Sequence, residues 1–229
     1  DNLYAAGKLE PMIVVMPNGR AMKDDRSIGN IMSKDKIEAF AVFEKDLIND
    51  LIPYVEKKFP VRKDRASRAI AGLSMGGGNS LYVAAEHQDK VDGIVLVNPM
   101  IHIPGLQIKF VSIISKIQKS RASVGDDIKK PGVTEWGYDA LPIKGVAQLY
   151  KYLKLARKRL PRIKTPVLLF HSVDDHTLDV SNTEIIFEEI GSSSKQRIEL
   201  LNSYHVATLD YDADIIFENS RLFIQERSK

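Results

Sequence analysis

A serine flanked by glycines, between an apolar stretch and a helical stretch, constrains the fold of this 229-residue chain more than any other feature. Residues 68–73 predict an apolar strand, and the residues from Gly78 onward predict a helix. The backbone packs closely around such a tight turn, so the turn is predicted to leave no room for a side chain at Gly72 or at Gly76. The chain therefore predicts a strand, a turn that exposes the Ser74 hydroxyl, and a helix in direct succession.

The predicted helix after the turn also bears on chemistry at Ser74. A helix that begins at Met75 directs its free N–H groups and the positive end of its dipole toward charge that develops beside the serine. We therefore predict that the Met75 N–H stabilises an oxyanion. Because Gly-x-Ser-x-Gly patterns also arise by chance at ordinary turns, this interpretation depends on an acid and a base placed nearby.

Apolar runs elsewhere predict further strands, with helices between them. Strands that alternate with helices pair in parallel, so the sequence predicts an α/β fold with a doubly wound, mostly parallel sheet. The other predicted strands cover residues 11–16, 93–98, 165–170 and 196–201, and the predicted helices cover residues 37–59, 78–88, 182–190 and 212–226.

Residues 101–162 depart from this alternation. Proline and glycine punctuate short helical turns there, which is typical of an insertion. We predict a small helical lid over residues 101–162, inserted in a single domain that spans residues 1–229.

Composition narrows the possible partners. The formal charge is +3 and basic residues are scattered among acidic ones, so no nucleic-acid surface is expected. No apolar run approaches the roughly 20 residues that span a bilayer. The N-terminus shows no export signal, which favours the cytoplasm. The absence of cysteine excludes disulfides, thiolate metal sites and a cysteine nucleophile.

Acidic and histidine residues follow two predicted strands. Asp174 and Asp175 come after the strand at 165–170, and His205 comes after the strand at 196–201. Because parallel strands present their carboxyl ends at one edge, these side chains are expected near Ser74.

Each of these residue types suits one role in nucleophilic catalysis. A serine hydroxyl is a weak nucleophile at neutral pH, and an imidazole can take and return its proton. A carboxylate fixes the imidazole tautomer, so we predict His205 as base and Asp175 as acid, with Asp174 as second choice. The chain order Ser, Asp, His matches that of α/β-hydrolases.

Simpler readings of the same residues remain open. Asp174, Asp175 and Asp179 also suit turns or helix caps, and His205 also suits a loop without catalysis. His171 and His176 could join nearby aspartates around a metal, but the triad explains the same residues, so no metal is expected.

Motifs in the two parts of the chain carry two different resemblances. The first part contains Asn2-Leu-Tyr-Ala-Ala-Gly-Lys8, Pro11-Met-Ile-Val-Val-Met-Pro-Asn-Gly19, Phe43-Glu-Lys-Asp-Leu-Ile48 and Ala71-Gly-Leu-Ser-Met-Gly-Gly-Gly78. With these motifs, residues 2–78 resemble feruloyl and acetylxylan esterases of carbohydrate esterase family one.

The second part contains Gly93-Ile-Val-Leu-Val-Asn-Pro99, Asp127-Ile-Lys-Lys-Pro-Gly-Val-Thr-Glu-Trp136, Phe170-His-Ser-Val-Asp-Asp-His176 and Ser203-Tyr-His-Val-Ala-Thr-Leu-Asp210. With these motifs, the chain from about Gly93 resembles bacterial carboxylesterases and monoacylglycerol lipases. In that family the acid and base match Asp175 and His205, and a small lid covers an acyl pocket. Together the two resemblances cover most of the chain.

The resemblance also identifies a missing element. Both families complete the oxyanion hole with a His-Gly-type loop after an earlier strand, and this chain begins downstream of it. We therefore expect an α/β-hydrolase fold that lacks its first strands, as a fragment or hybrid, or one in which the first remaining strand brings Gly19 to the oxyanion site. A sheet edge left exposed in this way would favour a homo-oligomer.

These observations predict a serine carboxylic-ester hydrolase that forms an acyl-enzyme and needs no cofactor. Its substrate would be a small-molecule ester: a short-chain ester, a feruloyl ester or a monoacylglycerol. Ile101, Trp136 and Tyr138 are predicted to line the substrate pocket, although they equally suit the lid core. The alternatives are an inactive hydrolase-fold binding module and a peptidase or thioesterase that uses the same triad.

Overall fold

A computed structural model describes residues 5–7, 11–17, 42–122, 125–135 and 140–227. The chain divides into two compact units, residues 1–63 and residues 64–229. The single domain predicted for residues 1–229 stays a prediction.

In the first unit, one helical segment follows the apolar periodicity of the sequence. Helix α1 (Phe43–Asp46), a π-helical turn (Leu47–Leu51) and helix α2 (Ile52–Lys58) follow one another without a break. The described part of the helix predicted at 37–59 is therefore confirmed, and residues 37–41 lie outside the described residues.

The buried strand predicted at 11–16 is wrong. Residues 11–17 adopt no regular structure, and the side chains of Val14 and Met16 are 71% and 88% exposed. Apolar composition predicts a tendency to be buried, but a strand also requires a neighbouring strand for its backbone hydrogen bonds. Within the described residues, 11–17 pair with no strand.

In the second unit, four parallel strands form the sheet. The strands of this unit are β1 (Ala69–Leu73), β2 (Gly93–Val97), β3 (Ser120–Ala122), β4 (Ala140–Pro142), β5 (Val167–Ser172) and β6 (Lys195–Leu200). The parallel sheet has the order β1-β2-β5-β6, and β3 and β4 form a separate antiparallel pair. The predicted parallel α/β sheet is confirmed.

Helices cover both faces of this sheet because its central strands are apolar on both sides. Ile94 and Leu96 of β2 pack in one core, whereas Val95 and Val97 pack in the other. The helices of the second unit are α3 (Met75–Glu86), α4 (Val111–Ile117), α5 (Ile143–Arg157), α6 (Ser181–Glu189) and α7 (Ala213–Arg227). No helix in the described part of the chain is long and apolar enough to cross a membrane.

The segment between β2 and β5 contains α4, the β3–β4 pair and α5, with a small core of its own. Val111 of α4 packs there against Ile143 and Ala147 of α5. The predicted change of pattern at residues 101–162 corresponds to this cap segment, and its role as a lid stays a prediction.

The turn between β1 and α3 needs glycine, but not at both predicted positions. A Cβ atom on Gly72 would lie 2.2 Å from the Gly76 carbonyl oxygen, and one on Gly77 would lie 2.5 Å from the Pro99 Cβ. A Cβ on Gly76 would meet no described atom within 4 Å. The steric demand predicted for Gly76 is therefore wrong, because the close approach involves its backbone and not its missing side chain.

This difference predicts opposite effects for two similar variants. Gly72→Ala should lower the free energy of unfolding by about 3 kcal/mol, since its Cβ would overlap the backbone. Gly76→Ala should leave it unchanged or raise it by at most about 1 kcal/mol, since alanine favours a helix. Urea denaturation of both variants beside the unmodified protein measures this, and equal losses in both variants would contradict it.

Candidate active site

Ser74 occupies a strained turn at the end of β1. Its φ and ψ are 54° and −123°, in a region that residues other than glycine rarely adopt. Its N–H donates to the Val97 carbonyl over 3.1 Å, and its carbonyl accepts from the N–H groups of Gly77 (3.0 Å) and Met100 (2.9 Å). The half-buried serine is the N-cap of α3, yet its hydroxyl makes no capping hydrogen bond. The turn therefore leaves the hydroxyl uncommitted to the helix.

Asp175 and His205 form a buried pair. The His205 Nδ1 lies 2.8 Å from the Asp175 Oδ2, and the side chains are 8% and 2% exposed, respectively. The other oxygen, Oδ1, accepts the backbone N–H groups of Thr177 (2.9 Å) and Leu178 (2.8 Å). Because the ionised carboxylate only accepts, Nδ1 carries the proton and Nε2 is left to accept one.

The neighbouring acidic residues have other partners. The Asp174 side chain is 55% exposed and lies 3.7 Å from the Lys129 Nζ. Asp179 accepts the Ser181 backbone N–H over 3.0 Å, which is the turn-forming role considered above. Only Asp175, of these three, contacts His205.

The two other histidines near this edge have protein partners rather than a metal cage. His171 Nδ1 lies 3.2 Å from the Thr183 Oγ1, and His176 Nδ1 lies 2.8 Å from the Asp127 Oδ1. Burial, with Arg197 nearby, lowers the pKa of His171. Within the described ranges, no three histidine or acidic side chains form a cluster that could hold a metal ion.

Asn98 connects the loops that carry the candidate residues. This residue directly follows β2, is 1% exposed and has a φ of 41°. Its Nδ2 donates to the His205 carbonyl over 2.7 Å, and its Oδ1 accepts the Ser172 N–H over 2.7 Å. Since the Ser74 N–H binds the adjacent Val97 carbonyl, the three loops form one network. Sequence reasoning missed Asn98, although a polar residue that ends a buried strand was a signal.

Asp210 organises the loop around His205. Its two carboxylate oxygens accept four backbone N–H groups at 2.7–3.0 Å, those of Lys129, Lys130, Tyr204 and Tyr211. Burial raises the pKa of Asp210, but these four hydrogen bonds outweigh burial and hold the pKa below its ordinary value. Sequence reasoning missed this residue as well, because its partners are backbone groups.

The remaining predicted site residues have mixed outcomes. Met75 is the first residue of α3, so its N–H lies in the first turn of the helix, next to Ser74 in the chain. The residue is 46% exposed. Ile101 is fully buried, and its N–H donates to the Asn182 Oδ1 over 2.7 Å. Gly19, Trp136 and Tyr138 lie outside the described residues. The roles predicted for all five stay predictions.

A cavity of about 600 Å³ adjoins the cap segment. Ile101, Ile103, Ile108 and Leu153 contribute apolar walls, while Lys109 and Lys154 stand among its basic lining residues. In the described part of the chain, Ser74, Asp175 and His205 do not line it.

The serine aminopeptidase, S33 family (Hydrolase_4) matches residues 37–212, which include Ser74, Asp175 and His205. The chain belongs to this family. It therefore belongs to the α/β-hydrolases, which confirms the predicted fold class.

Two proteins that are similar to this chain are a lipase and an esterase. The chain is 36% identical over 186 residues to a thermostable monoacylglycerol lipase of Bacillus sp. strain H-257, and this alignment covers 81% of the chain and 74% of the relative. The chain is 47% identical over 77 residues to an endo-1,4-beta-xylanase/feruloyl esterase of Xylanibacter ruminicola, and this alignment covers 34% of the chain and 10% of the relative. Both predicted resemblances are confirmed.

A solved structure agrees with these relatives. A structure of the metagenome-derived lipolytic enzymes LipS and LipT matches with a TM-score of 0.72 and 30% identity. The match covers 81% of this chain and 73% of that chain. The fold described here is therefore one that lipolytic enzymes use.

The electrostatics of Asp210 predict a pH-dependent stability for this hydrolase. Asp210→Asn should lower the free energy of unfolding at pH 7 by about 2–3 kcal/mol, because an amide cannot accept four N–H groups. The folded-state pKa lies below the ordinary value, so the carboxylate's contribution is present above that value and is lost as the pH falls through the folded-state pKa.

The difference between the two proteins should therefore narrow below about pH 4. Urea denaturation from pH 7 to pH 3.5 measures it. Asp214→Asn, which changes an exposed carboxylate on the first turn of α7, should shift stability by less than about 0.5 kcal/mol. A loss in Asp210→Asn that does not vary with pH would contradict this account.

Proposed function

We propose that this chain hydrolyses carboxylic esters, with Ser74 as nucleophile, His205 as general base and Asp175 as the carboxylate that positions His205. The buried hydrogen bond of 2.8 Å between His205 and Asp175 carries this proposal. The uncapped hydroxyl of Ser74, at the same edge of the sheet, supports it. The membership of a serine hydrolase family supports it further.

The reaction follows from the roles of these groups. His205 Nε2 takes the proton of Ser74 as the serine oxygen attacks the ester carbonyl carbon. The protonated imidazole then gives that proton to the departing alcohol, which leaves an acyl-enzyme. Water then gives a proton to His205 Nε2 as its oxygen attacks the acyl carbonyl carbon. The bond to the Ser74 oxygen breaks, the imidazolium returns the proton to that oxygen, and the carboxylic acid leaves. No cofactor takes part in these steps.

The negative oxygen of each tetrahedral intermediate needs hydrogen-bond donors. The first N–H groups of a helix have no acceptor within the helix, so the Met75 N–H suits this role. A second donor is predicted from the sequence at Gly19, which lies outside the described residues, and its identity stays a prediction. Loss of one such donor lowers turnover by about 100- to 1000-fold, so the identity of the second donor matters for rate.

We propose monoacylglycerols as the substrate class, rather than feruloyl esters. The monoacylglycerol lipase relative aligns over 81% of this chain, whereas the feruloyl esterase relative aligns over 34%. The cap segment also exposes apolar side chains suited to a lipid-like substrate, with Phe110, Ile113 and Ile117 at 57%, 60% and 87% exposure. An inactive binding module is the alternative.

The assigned roles predict a matched set of losses. Ser74→Ala, His205→Ala and Asp175→Asn should each lower kcat for p-nitrophenyl butyrate by about 10⁴-fold or more. Asp174→Asn should retain activity, because its exposed side chain does not contact His205. Labelling with a fluorophosphonate should require Ser74 in the same way. Equal, near-background rates in the unmodified protein and all variants would favour the inactive binding module.

The substrate class has a separate test. We expect kcat/KM for 1-monobutyrin to exceed that for methyl ferulate by at least about 10-fold, which is 1.4 kcal/mol of differential transition-state binding. Release of acid at constant pH measures both rates with the same enzyme. A preference for methyl ferulate would leave the triad in place and overturn the assignment to monoacylglycerols.

A further inference from the structure

One buried carboxylate of the cap segment contacts the loops of both candidate residues, the base and its acid. Asp127 is 9% exposed, and its Oδ2 accepts the backbone N–H groups of His176 (3.0 Å) and His205 (3.2 Å). The same oxygen accepts the Thr177 hydroxyl over 3.3 Å. The Asp127 backbone carbonyl accepts the Val206 N–H over 3.1 Å.

We propose that Asp127 is a positioning residue that fastens the cap segment to the loops of Asp175 and His205 and thereby sets the orientation of the His205 imidazole. This inference rests on the proposed ester hydrolysis. His176 is the neighbour of Asp175 along the chain, so one carboxylate fixes a backbone position in each loop. A shift of either loop would change the hydrogen bond between Asp175 and His205.

The chemistry of Asp127 suits a place where several donors converge. Burial raises the pKa of Asp127, but hydrogen bonds from the His176 ring and from the N–H groups of His176 and His205 outweigh it, so the pKa lies below its ordinary value. At neutral pH the group is therefore an ionised carboxylate, which accepts hydrogen bonds on both oxygens.

A second attachment lies two and three residues further along the cap segment. The N–H groups of Lys129 and Lys130 donate to Asp210, which also accepts the Tyr204 N–H next to His205. Residues 127–130 are thus joined to the His205 loop at two points. These contacts couple the position of residues 127–130 to the position of the His205 imidazole.

Three substitutions of Asp127 separate geometry from charge. In Asp127→Asn, the amide oxygen can still accept from the backbone N–H groups of His176 and His205, and the NH₂ group can donate to His176 Nδ1 in the tautomer that carries its hydrogen on Nε2. Asp127→Glu keeps the charge but moves the carboxylate by one methylene. Asp127→Ala removes the acceptor altogether.

For a positioning role we expect kcat for p-nitrophenyl butyrate to fall about 100-fold in Asp127→Ala and Asp127→Glu, with KM changed less than about 3-fold. Asp127→Asn should remain within about 10-fold of the unmodified protein. Fluorophosphonate labelling should slow in parallel. The control is Asp126→Ala, which alters an exposed neighbour that accepts the Glu135 N–H over 3.2 Å and, within the described residues, has no hydrogen bond to the loops of Asp175 and His205; it should leave kcat unchanged.

Nuclear magnetic resonance of ¹⁵N-histidine-labelled protein tests the geometry without turnover. The His205 Nδ1–H resonance, assigned by its loss in His205→Gln, should shift or broaden in Asp127→Glu and stay in place in Asp127→Asn and Asp126→Ala. If Asp127→Ala fails to fold, the asparagine and glutamate variants carry the test.

Two results would overturn the inference: a glutamate variant as active as the asparagine variant, or full kcat in every folded variant with only thermal stability reduced. If the unmodified protein shows neither turnover nor labelling, the proposed ester hydrolysis fails. The His205 resonance then still reports whether Asp127 sets the imidazole.

Discussion

Parallel pairing of β2 with both β1 and β5 determines where every candidate catalytic side chain lies. Leu73 pairs with Val97, and Val97 pairs with Phe170, so the carboxyl ends of three strands meet at one edge. Ser172 pairs with Leu200, which brings the end of β6 to the same edge. Residues distant in the chain therefore become neighbours through backbone hydrogen bonds alone. The side chains that complete the site add orientation to a placement that the sheet has already made.

Buried carboxylates supply most of that orientation. Asp127, Asp175 and Asp210 each accept two or more backbone N–H groups from loops that have no regular structure of their own. An unpaired buried charge would be costly, but several N–H donors offset the lost hydration. Loops held in this way are fixed by hydrogen bonds before any ligand is present, which is the condition for a preorganised site. The same dependence makes these loops sensitive to substitutions that leave the core unchanged.

The sequence predicted those parts of the site that depend on local pattern. The strand, turn and helix around Ser74 follow from glycine and apolar periodicity, and Asp175 and His205 follow from their positions after predicted strands. Asn98, Asp127 and Asp210 could not be found in this way, because their partners are backbone groups up to 107 residues away. The strand predicted at residues 11–16 was wrong for a related reason, because an apolar run forms a strand only where a neighbouring strand elsewhere in the chain pairs with it.

The strained backbone of Ser74 is held by the same network. A serine at a φ of 54° persists only if the surrounding structure opposes its relaxation. Hydrogen bonds on both sides of Ser74 oppose this relaxation: the Val97 carbonyl accepts from the Ser74 N–H, and the Met100 N–H donates to the Ser74 carbonyl. Both partners flank Asn98, whose amide holds the His205 carbonyl. One short segment, residues 97–100, is therefore hydrogen-bonded both to the strained serine and to the histidine loop.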